Sequence, residues 1–167
     1  MLRTSFLLTV ALLIALLGCA GDLSLDQSVD ELQASFNSKD FEGVVSAAGP
    51  LLQRAQGEGA EASQCFRIEK LRVSALARQG QGTAATEHLE RLAGEYSAQV
   101  NAKLYNQMGS YVEELSLLEA IAVYDAGAKR FPDNADDFKP RIEALKVKAE
   151  ATGDADALAS LKSLGYL

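Results

Sequence analysis

One stripe of polar residues in this sequence could bind an anionic group. Its members follow one another at the spacing i, i+3, i+7 and i+11, which places them on one face of a helix. They are Arg67, Lys70, Ser74 and Arg78. Guanidinium and ammonium groups form charge-assisted hydrogen bonds with carboxylates. The stripe therefore predicts a site for an acidic segment or a C-terminal carboxylate, or else a solvated helix face whose charges balance Glu61 and Glu69.

Residues that could catalyse a reaction or hold a metal ion are few. His88 is the only histidine of the chain, and a nitrogen- or sulfur-ligated metal site needs further ligands of those kinds. No nucleophile signature accompanies His88, which we expect to be a surface or half-buried side chain. The stretch GQGTAA at residues 80–85 follows a helical pattern, whereas a dinucleotide-binding loop follows a strand. The sequence therefore predicts no enzyme, no metal site and no cofactor.

The N-terminus has the layout of a secretory signal peptide. Residues 6–17 carry no charge, follow the single basic residue Arg3, and are succeeded by the small residue Gly18. This run is shorter than the about 20 apolar residues that a bilayer-spanning helix needs. We therefore expect the segment to be removed from the mature chain.

The sequence LLGC at residues 16–19 resembles the lipobox of bacterial lipoproteins. The resemblance implies that residues 1–18 are a signal peptide, that cleavage falls between Gly18 and Cys19, and that Cys19 carries covalent lipid. Two or three acyl chains make a durable anchor, because each buried methylene contributes about 0.8 kcal/mol. Residues 19–27 would then be a lipidated tether. In Gram-negative bacteria of the enteric type, the resemblance implies that Ala20 in place of aspartate after the lipidated cysteine favours the periplasmic face of the outer membrane. The alternatives are a plain signal peptide with a chance cysteine and an uncleaved anchor.

The rest of the chain, residues 28–167, is long enough to form one domain with a hydrophobic core. The net charge of the whole chain is −7 at pH 7, and loss of Arg3 would make it more negative. This acidity argues against binding to nucleic acid and against electrostatic binding to anionic lipid. With Cys19 lipidated, Cys65 has no partner in the chain. Because Cys65 falls on an apolar helical stripe, we expect a buried and inert thiol.

Apolar residues recur with a period near 3.6 from Val29 to the C-terminus, which predicts an all-α domain of eight helices. Pro50 lies within the second predicted helix and should bend or end it, because proline removes a helix hydrogen bond. Asn134 is expected to cap the seventh helix, with Asp137 in its first turn. Short links divide the eight helices into pairs that recur about every 35 to 40 residues, which indicates internal repetition.

Residues 105–134 resemble a tetratricopeptide repeat, a unit of two antiparallel helices. The matching residues are Tyr105, Met108 and Gly109 in the first helix, Ala120 and Tyr124 in the second, and Pro132 at the close. The match requires one residue to be dropped between the two helices, and residues 38–52, 77–93 and 152–165 match more faintly. The resemblance implies antiparallel helix pairs stacked as a right-handed superhelix of about three to four degenerate repeats. The alternative is a non-repetitive helical bundle.

In tetratricopeptide proteins the first helix of each pair lines a concave groove that binds peptides. The resemblance places the basic stripe in this groove and adds the polar positions of the next unit, which are Lys103, Asn106 and Ser110. It implies a lipid-anchored scaffold or assembly factor that binds an envelope protein or peptide segment. The alternatives are a small-ligand binder or enzyme in a non-repeat bundle, and a passive structural lipoprotein of the envelope.

Overall fold

The computed structural model describes residues 23–167, so Gly18, Cys19 and the predicted signal peptide lie outside the described residues. Within residues 23–167 the chain is helical and contains no strand, which confirms the all-α class. This part of the chain forms a 3₁₀ helix, Pro132–Asp137, and eight α-helices. They are α1 (Leu25–Asn37), α2 (Phe41–Gly57), α3 (Ala62–Arg78), α4 (Gly82–Glu95), α5 (Ala102–Glu113), α6 (Leu117–Arg130), α7 (Lys139–Thr152) and α8 (Ala155–Ser163).

Side-chain caps fix where most of these helices begin. The Ser24 hydroxyl accepts a hydrogen bond from the Gln27 backbone N–H, and the Gln27 side chain accepts one from the Ser24 N–H. The corresponding caps of α2, α5, α6 and α8 are Asp40, Asn101, Ser116 and Asp154. Each cap satisfies an otherwise unpaired N–H group and contributes about 1 kcal/mol. The sequence analysis placed the start of the helical domain at residue 28. Because Ser24 caps α1, the first helix begins slightly earlier, at Leu25.

Most helices that end in a left-handed residue use glycine for it. The glycines with positive φ are Gly59, Gly80, Gly153 and Gly165, at φ values between 68° and 82°. The end of α1 differs, because the residue there is Lys39, with φ of 68°. An L-residue with a β-carbon costs about 1 kcal/mol or more in this region, whereas glycine adopts it freely. Among residues 23–167, Lys39 is the one non-glycine residue in this conformation.

Pro50 does not end α2, and the helix continues to Gly57, so of the two predicted effects, a bend or an end, the end does not occur. A proline inside a helix costs about 3 kcal/mol, because it removes one hydrogen bond and its ring crowds the preceding turn. Val44, Ala48 and Ala55 lie on either side of Pro50 in the sequence and are fully buried. Their packing outweighs the local cost, and Pro50 itself lies on the exposed side of the helix.

Asn134 does not cap α7, and this prediction is wrong. Residues Pro132–Asp137 form the 3₁₀ helix instead, and α7 begins at Lys139, directly after Phe138. Phe138 is fully buried against Gly127, where an added β-carbon would lie 2.6 Å from the ring. Pro140 occupies the first turn of α7, where no helix hydrogen bond is lost. Burial of the Phe138 ring therefore sets the start of α7.

The core consists of two hydrophobic clusters that share α3. The first cluster joins α1 and α2 to one face of α3, through residues such as Val29, Val44, Ile68, Leu71 and Ala75. The second cluster joins the other face of α3 to the helices from α4 to α8, through residues such as Val73, Leu89, Tyr105, Tyr124 and Leu161. Cys65 belongs to the first cluster and is a buried free thiol, as predicted.

Gly109 allows close contact between α5 and α6. A β-carbon at this position would overlap the ring of Tyr124, at 2.6 Å from Cζ. Tyr124 is fully buried, and its hydroxyl donates a hydrogen bond to Glu113 Oε2 at 3.3 Å. Burial, together with the Glu113 charge, raises the pKa of Tyr124 to about 12. The pair formed by Gly109 and Tyr124 thus sets the distance between the two helices.

Candidate protein-binding groove

The helices α1, α3 and α5 lie side by side and form a groove, with α3 packed against both neighbours. Three hollows follow this groove. The polar hollow, of about 200 Å³, is lined by Phe66, Lys70, Gln99, Asn101, Lys103 and Gln107, among others. The central hollow, of about 400 Å³, is lined by Gln33, Phe36, Arg67, Lys70, Ser74 and Tyr111, among others. The aromatic hollow, of about 480 Å³, is lined by Phe36, Lys39, Phe41, Arg78, Tyr111 and Leu115, among others.

The three hollows form one continuous surface, because neighbouring hollows share side chains. Lys70 and Gln107 line both the polar and the central hollow. Phe36 and Tyr111 line both the central and the aromatic hollow. An extended segment lying along α3 would therefore pass first amide and ammonium groups and then aromatic rings.

The structure brings the basic stripe of α3 together in this groove. Arg67, Lys70 and Ser74 line the central hollow, and Arg78 lines the aromatic hollow. Lys103, from the next pair of helices, lines the polar hollow beside Lys70. The spacing of the stripe in the sequence thus correctly indicated residues that share one surface.

Asn106 and Ser110 do not line any of the three hollows. Gln107 and Tyr111 contribute to the groove from α5 instead. The Ser110 hydroxyl donates a hydrogen bond to the backbone carbonyl of Gln107 at 2.8 Å. The signal that could have indicated Gln107 and Tyr111 is their i, i+4 and i, i+8 spacing from Lys103, which defines a stripe of its own.

Phe36 is a groove residue that the helical pattern did not predict. Its position on an apolar stripe of α1 predicts burial in the core, yet the side chain is only partly buried and lines two hollows. It packs against Phe41 with ring centroids 5.3 Å apart. Because Phe41 follows the turn after α1, the pair depends on how that turn folds, which a helical pattern does not reveal.

Two of the basic residues are held by neighbours on other helices. Arg67 forms an exposed ion pair with Asp30 of α1 at 2.9 Å. The Arg78 guanidinium lies over the ring of Tyr111, 3.7 Å from its centroid, and reaches Glu114 at 3.5 Å. Exposed pairs of this kind contribute at most about 1 kcal/mol each. They orient the two guanidinium groups across the groove.

Lys70 and Lys103 form no ion pair with any residue in the described part of the chain. Both are exposed, and the hollow that they share is also lined by three amides and two apolar side chains, namely Gln99, Asn101, Gln107, Phe66 and Leu104. The two ammonium groups are therefore available to an anionic partner.

Glu69 does not balance the stripe, because it lies on a different face of α3 and points into the protein. Its side chain is 1% exposed and forms an ion pair with Arg91 and a hydrogen bond with His88, each at 2.7 Å. His88 is half-buried, as predicted, and Arg91 also pairs with Glu95. Glu61, the other proposed balancing charge, accepts a hydrogen bond from the Ser63 hydroxyl, two residues further along the chain. The cluster of Glu69, His88 and Arg91 joins α3 to α4 on a face of α3 that the stripe does not occupy.

The partners of Glu69 determine its protonation. Burial alone would raise the pKa of Glu69, but hydrogen bonds from His88 and Arg91, with their charges, outweigh it and hold the pKa below its ordinary value of 4.5. A carboxylate with a lowered pKa in the folded state stabilises the fold above the unfolded-state pKa, and that stability is lost as the pH falls through the folded-state value.

We predict that this cluster contributes to the acid sensitivity of the protein. In thermal unfolding between pH 7 and pH 3, the melting temperature of the wild type should fall once the pH drops below about 4.5. A Glu69→Gln variant should show a flatter profile in the same window, because it lacks the group that takes up the proton. Parallel profiles would contradict the assignment.

Within residues 23–167 the structure shows neither a membrane-spanning helix nor a cluster of metal ligands. None of the helices in this range combines the length and apolar character needed to cross a bilayer. Over the same residues, no three His, Cys, Asp or Glu side chains meet in a way that could hold a metal ion. Comparison with family models, with curated proteins and with solved structures finds no match for this chain.

Proposed function

We propose that this protein is a lipid-anchored protein-binding module of the bacterial cell envelope, whose groove on α1, α3 and α5 holds an acidic segment of a partner protein. The observation that carries the proposal is the polar hollow. There Lys70 and Lys103 are exposed and, within the described chain, lack ion pairs, although the chain as a whole has a net charge of −7. Amide side chains between the two lysines supply further hydrogen-bond donors and acceptors.

We further propose that the groove arises from tetratricopeptide-like repeats stacked as a right-handed superhelix. Two packing features support this proposal. Helices α1, α3 and α5 are neighbours, as are α4 and α6, which fits consecutive helix pairs in register. The contact of Gly109 with Tyr124 supplies the close approach that the repeat pattern expects between the helices of one pair.

The proposed anchor would hold the domain close to a membrane surface. Residues 19–24 would connect lipidated Cys19 to the start of α1, and at about 3.5 Å per residue they span at most about 20 Å. The described end of this connection is fixed to the domain, since the Leu23 carbonyl accepts a hydrogen bond from Arg54 at 2.7 Å. A short connection of this kind suits a scaffold or assembly factor that works on other envelope proteins.

Reversing the two unpaired charges should abolish capture of the partner. A Lys70→Glu/Lys103→Glu variant is expected to lose, by about tenfold or more, a protein that co-purifies with the wild type from mildly solubilised envelopes. The loss follows because two attractive contacts become repulsive. Quantitative mass spectrometry of the captured proteins measures it.

The matched control carries the same change of charge away from the groove. Lys148 and Lys162 lie exposed on α7 and α8, so Lys148→Glu/Lys162→Glu should capture the partner as the wild type does. Equal capture by both double variants would refute the proposed groove. If no protein is captured even by the wild type, the alternatives of a small-ligand binder, an enzyme or a passive envelope lipoprotein gain support, and ligand screening follows.

The lipid anchor makes an independent prediction. A Cys19→Ala variant should lose membrane association, because it lacks the thiol to which lipid is attached, whereas the wild type should sediment with the membranes. Fractionation by ultracentrifugation, with intact mass analysis of the purified chain, measures both effects. A variant that has lost residues 1–18 and still associates with membranes, or a wild-type mass without added lipid, would contradict lipidation.

A further inference from the structure

The aromatic hollow differs in chemistry from the rest of the groove. It lies between the turn that joins α1 to α2 and the turn that joins α5 to α6. Phe36, Phe41 and Tyr111 give it an aromatic lining, while Lys39 and Arg78 bring two cations to it. Leu115 stands beside it with 61% of its surface exposed. Glu114 also lines the hollow and pairs with Arg78 at 3.5 Å, so its charged lining consists of two cations and one carboxylate. The hollow thus offers apolar contact and a net positive charge within one space.

Lys39 occupies a backbone position that favours glycine. Each of the other left-handed helix ends between residues 23 and 167 carries glycine, and Lys39 alone adopts a positive φ with a β-carbon. The position therefore costs stability that a glycine would not cost. The turn at Lys39 is closed by backbone hydrogen bonds, from the Lys39 N–H to the Phe36 carbonyl and from the Asp40 N–H to the Ser35 carbonyl, each at 3.0 Å, but glycine could form them equally. The Lys39 ammonium group forms no ion pair within the described chain. A side chain kept at a strained position without a structural partner is a candidate for function.

The Arg78 guanidinium has a fixed orientation, and most of its hydrogen-bond donors have no partner in the described chain. Its guanidinium is stacked on Tyr111 and makes one hydrogen bond, to the exposed side chain of Glu114 at 3.5 Å. A guanidinium carries five N–H donors, so most of them remain available for a further carboxylate. The stacking fixes the plane of the group, which lowers the entropy that a ligand must remove on binding.

We propose that the aromatic hollow receives a bulky apolar side chain of the bound segment, and that Lys39 and Arg78 hold a carboxylate next to that side chain. The inference rests on the proposed function, because the segment is the one that lies along the groove. It adds a sequence preference: an acidic residue within about two positions of an aromatic or large aliphatic residue. Charge complementarity selects the acid, and the partly exposed aromatic rings together with Leu115 select the apolar residue.

Selection from a random peptide library tests this preference directly. Dodecapeptides displayed at the N-terminus of a phage coat protein have no free C-terminal carboxylate, so a site for chain ends is not sampled. The full mature chain, immobilised through a C-terminal tag, is the target. We expect the enriched peptides to combine an acidic residue with a neighbouring aromatic or large aliphatic residue. An enriched set that lacks either component would overturn the inference.

The affinity of the best enriched peptide for variants of the protein, measured by fluorescence anisotropy, shows which residues of the protein contact it. Lys39→Gly should weaken binding about fivefold, while the melting temperature stays equal or rises, because glycine relieves the strain. Lys39→Arg should retain the affinity, since it keeps the charge. Leu115→Ser should also weaken binding. Leu118→Ser is its matched control, because Leu118 is exposed near the same turn but is not among the side chains that line the hollow.

The outcomes separate this inference from the proposed function. If acidic peptides bind and depend on Lys70 and Lys103 but not on Lys39 or Leu115, the groove function stands and the inference fails. If no peptide is enriched over an unrelated helical protein, both fail. Loss of affinity in Lys39→Gly and Leu115→Ser, with retained affinity in their controls, supports both.

Discussion

Replacing Arg91 with methionine is expected to lower the free energy of unfolding at pH 7 by about 3 kcal/mol. The variant leaves the Glu69 carboxylate, which is 1% exposed, with His88 as its remaining partner. A buried carboxylate without sufficient compensation is costly because it has lost its hydration. For a chain of this size the melting temperature should fall by about 8 °C. Urea denaturation followed by circular dichroism measures the change.

Two further variants show whether the buried charge is responsible. Arg141 is exposed on α7 and forms no ion pair within the described chain, so Arg141→Met should change stability by less than about 0.5 kcal/mol. Adding Glu69→Gln to Arg91→Met should recover much of the loss, because a neutral amide tolerates burial better than a charge. If the double variant were as unstable as the sum of both single variants, the explanation would be wrong.

A methyl group at Gly109 should destabilise the protein by about 2 kcal/mol, although alanine favours helices more than glycine does. The added carbon would overlap the ring of Tyr124, which is fully buried and cannot move without disturbing α6. Thermal or urea unfolding of Gly109→Ala measures the effect. A fall of this size would identify the glycine as a packing requirement.

Gly94 provides the same substitution without the steric conflict. It lies in α4 and is exposed, and a β-carbon added there would meet no atom within 4 Å beyond its own helix and chain neighbours. Gly94→Ala should therefore be neutral or stabilise the protein by up to about 1 kcal/mol. Opposite signs for the two variants are the expected result, and equal changes at both positions would contradict the role of Tyr124.

The helices of this fold were predictable from the sequence because their apolar periodicity and their caps agree. Asp154, for example, follows Gly153 and precedes an apolar stripe, and it caps α8 as such a pattern indicates. Asn134 was wrongly predicted as a cap, and Pro50 does not end its helix, because local preference competed with burial at both positions. In both places the packing of distant apolar side chains outweighed the local rule. Such packing is a property of the tertiary fold and leaves no local pattern.

The candidate groove was predictable only where a single helix defines it. Arg67, Lys70, Ser74 and Arg78 lie on one helix, so their spacing alone placed them on one surface. Which residues of α5 face the groove depends on the rotation of that helix about its axis relative to α3. The apolar periodicity of α5 did not fix this rotation, and the predicted residues, Asn106 and Ser110, each precede by one position the residues that line the groove. That rotation brings Tyr111 to the groove. Lys39 could not be anticipated, because its significance lies in its backbone angle.

The sharing of α3 between two cores has a consequence for folding cooperativity. The pair α1 and α2 is held mainly by the first cluster, whereas the second cluster has contributions from all later helices. Local opening of α1 and α2 would therefore leave the second core largely intact, and we expect their amide hydrogens to exchange with solvent before those of α5 and α6. A ligand that contacts α1, α3 and α5 together would link the two units and slow that opening. Binding of a ligand in the groove would then be measured as slower amide hydrogen exchange in α1 and α2.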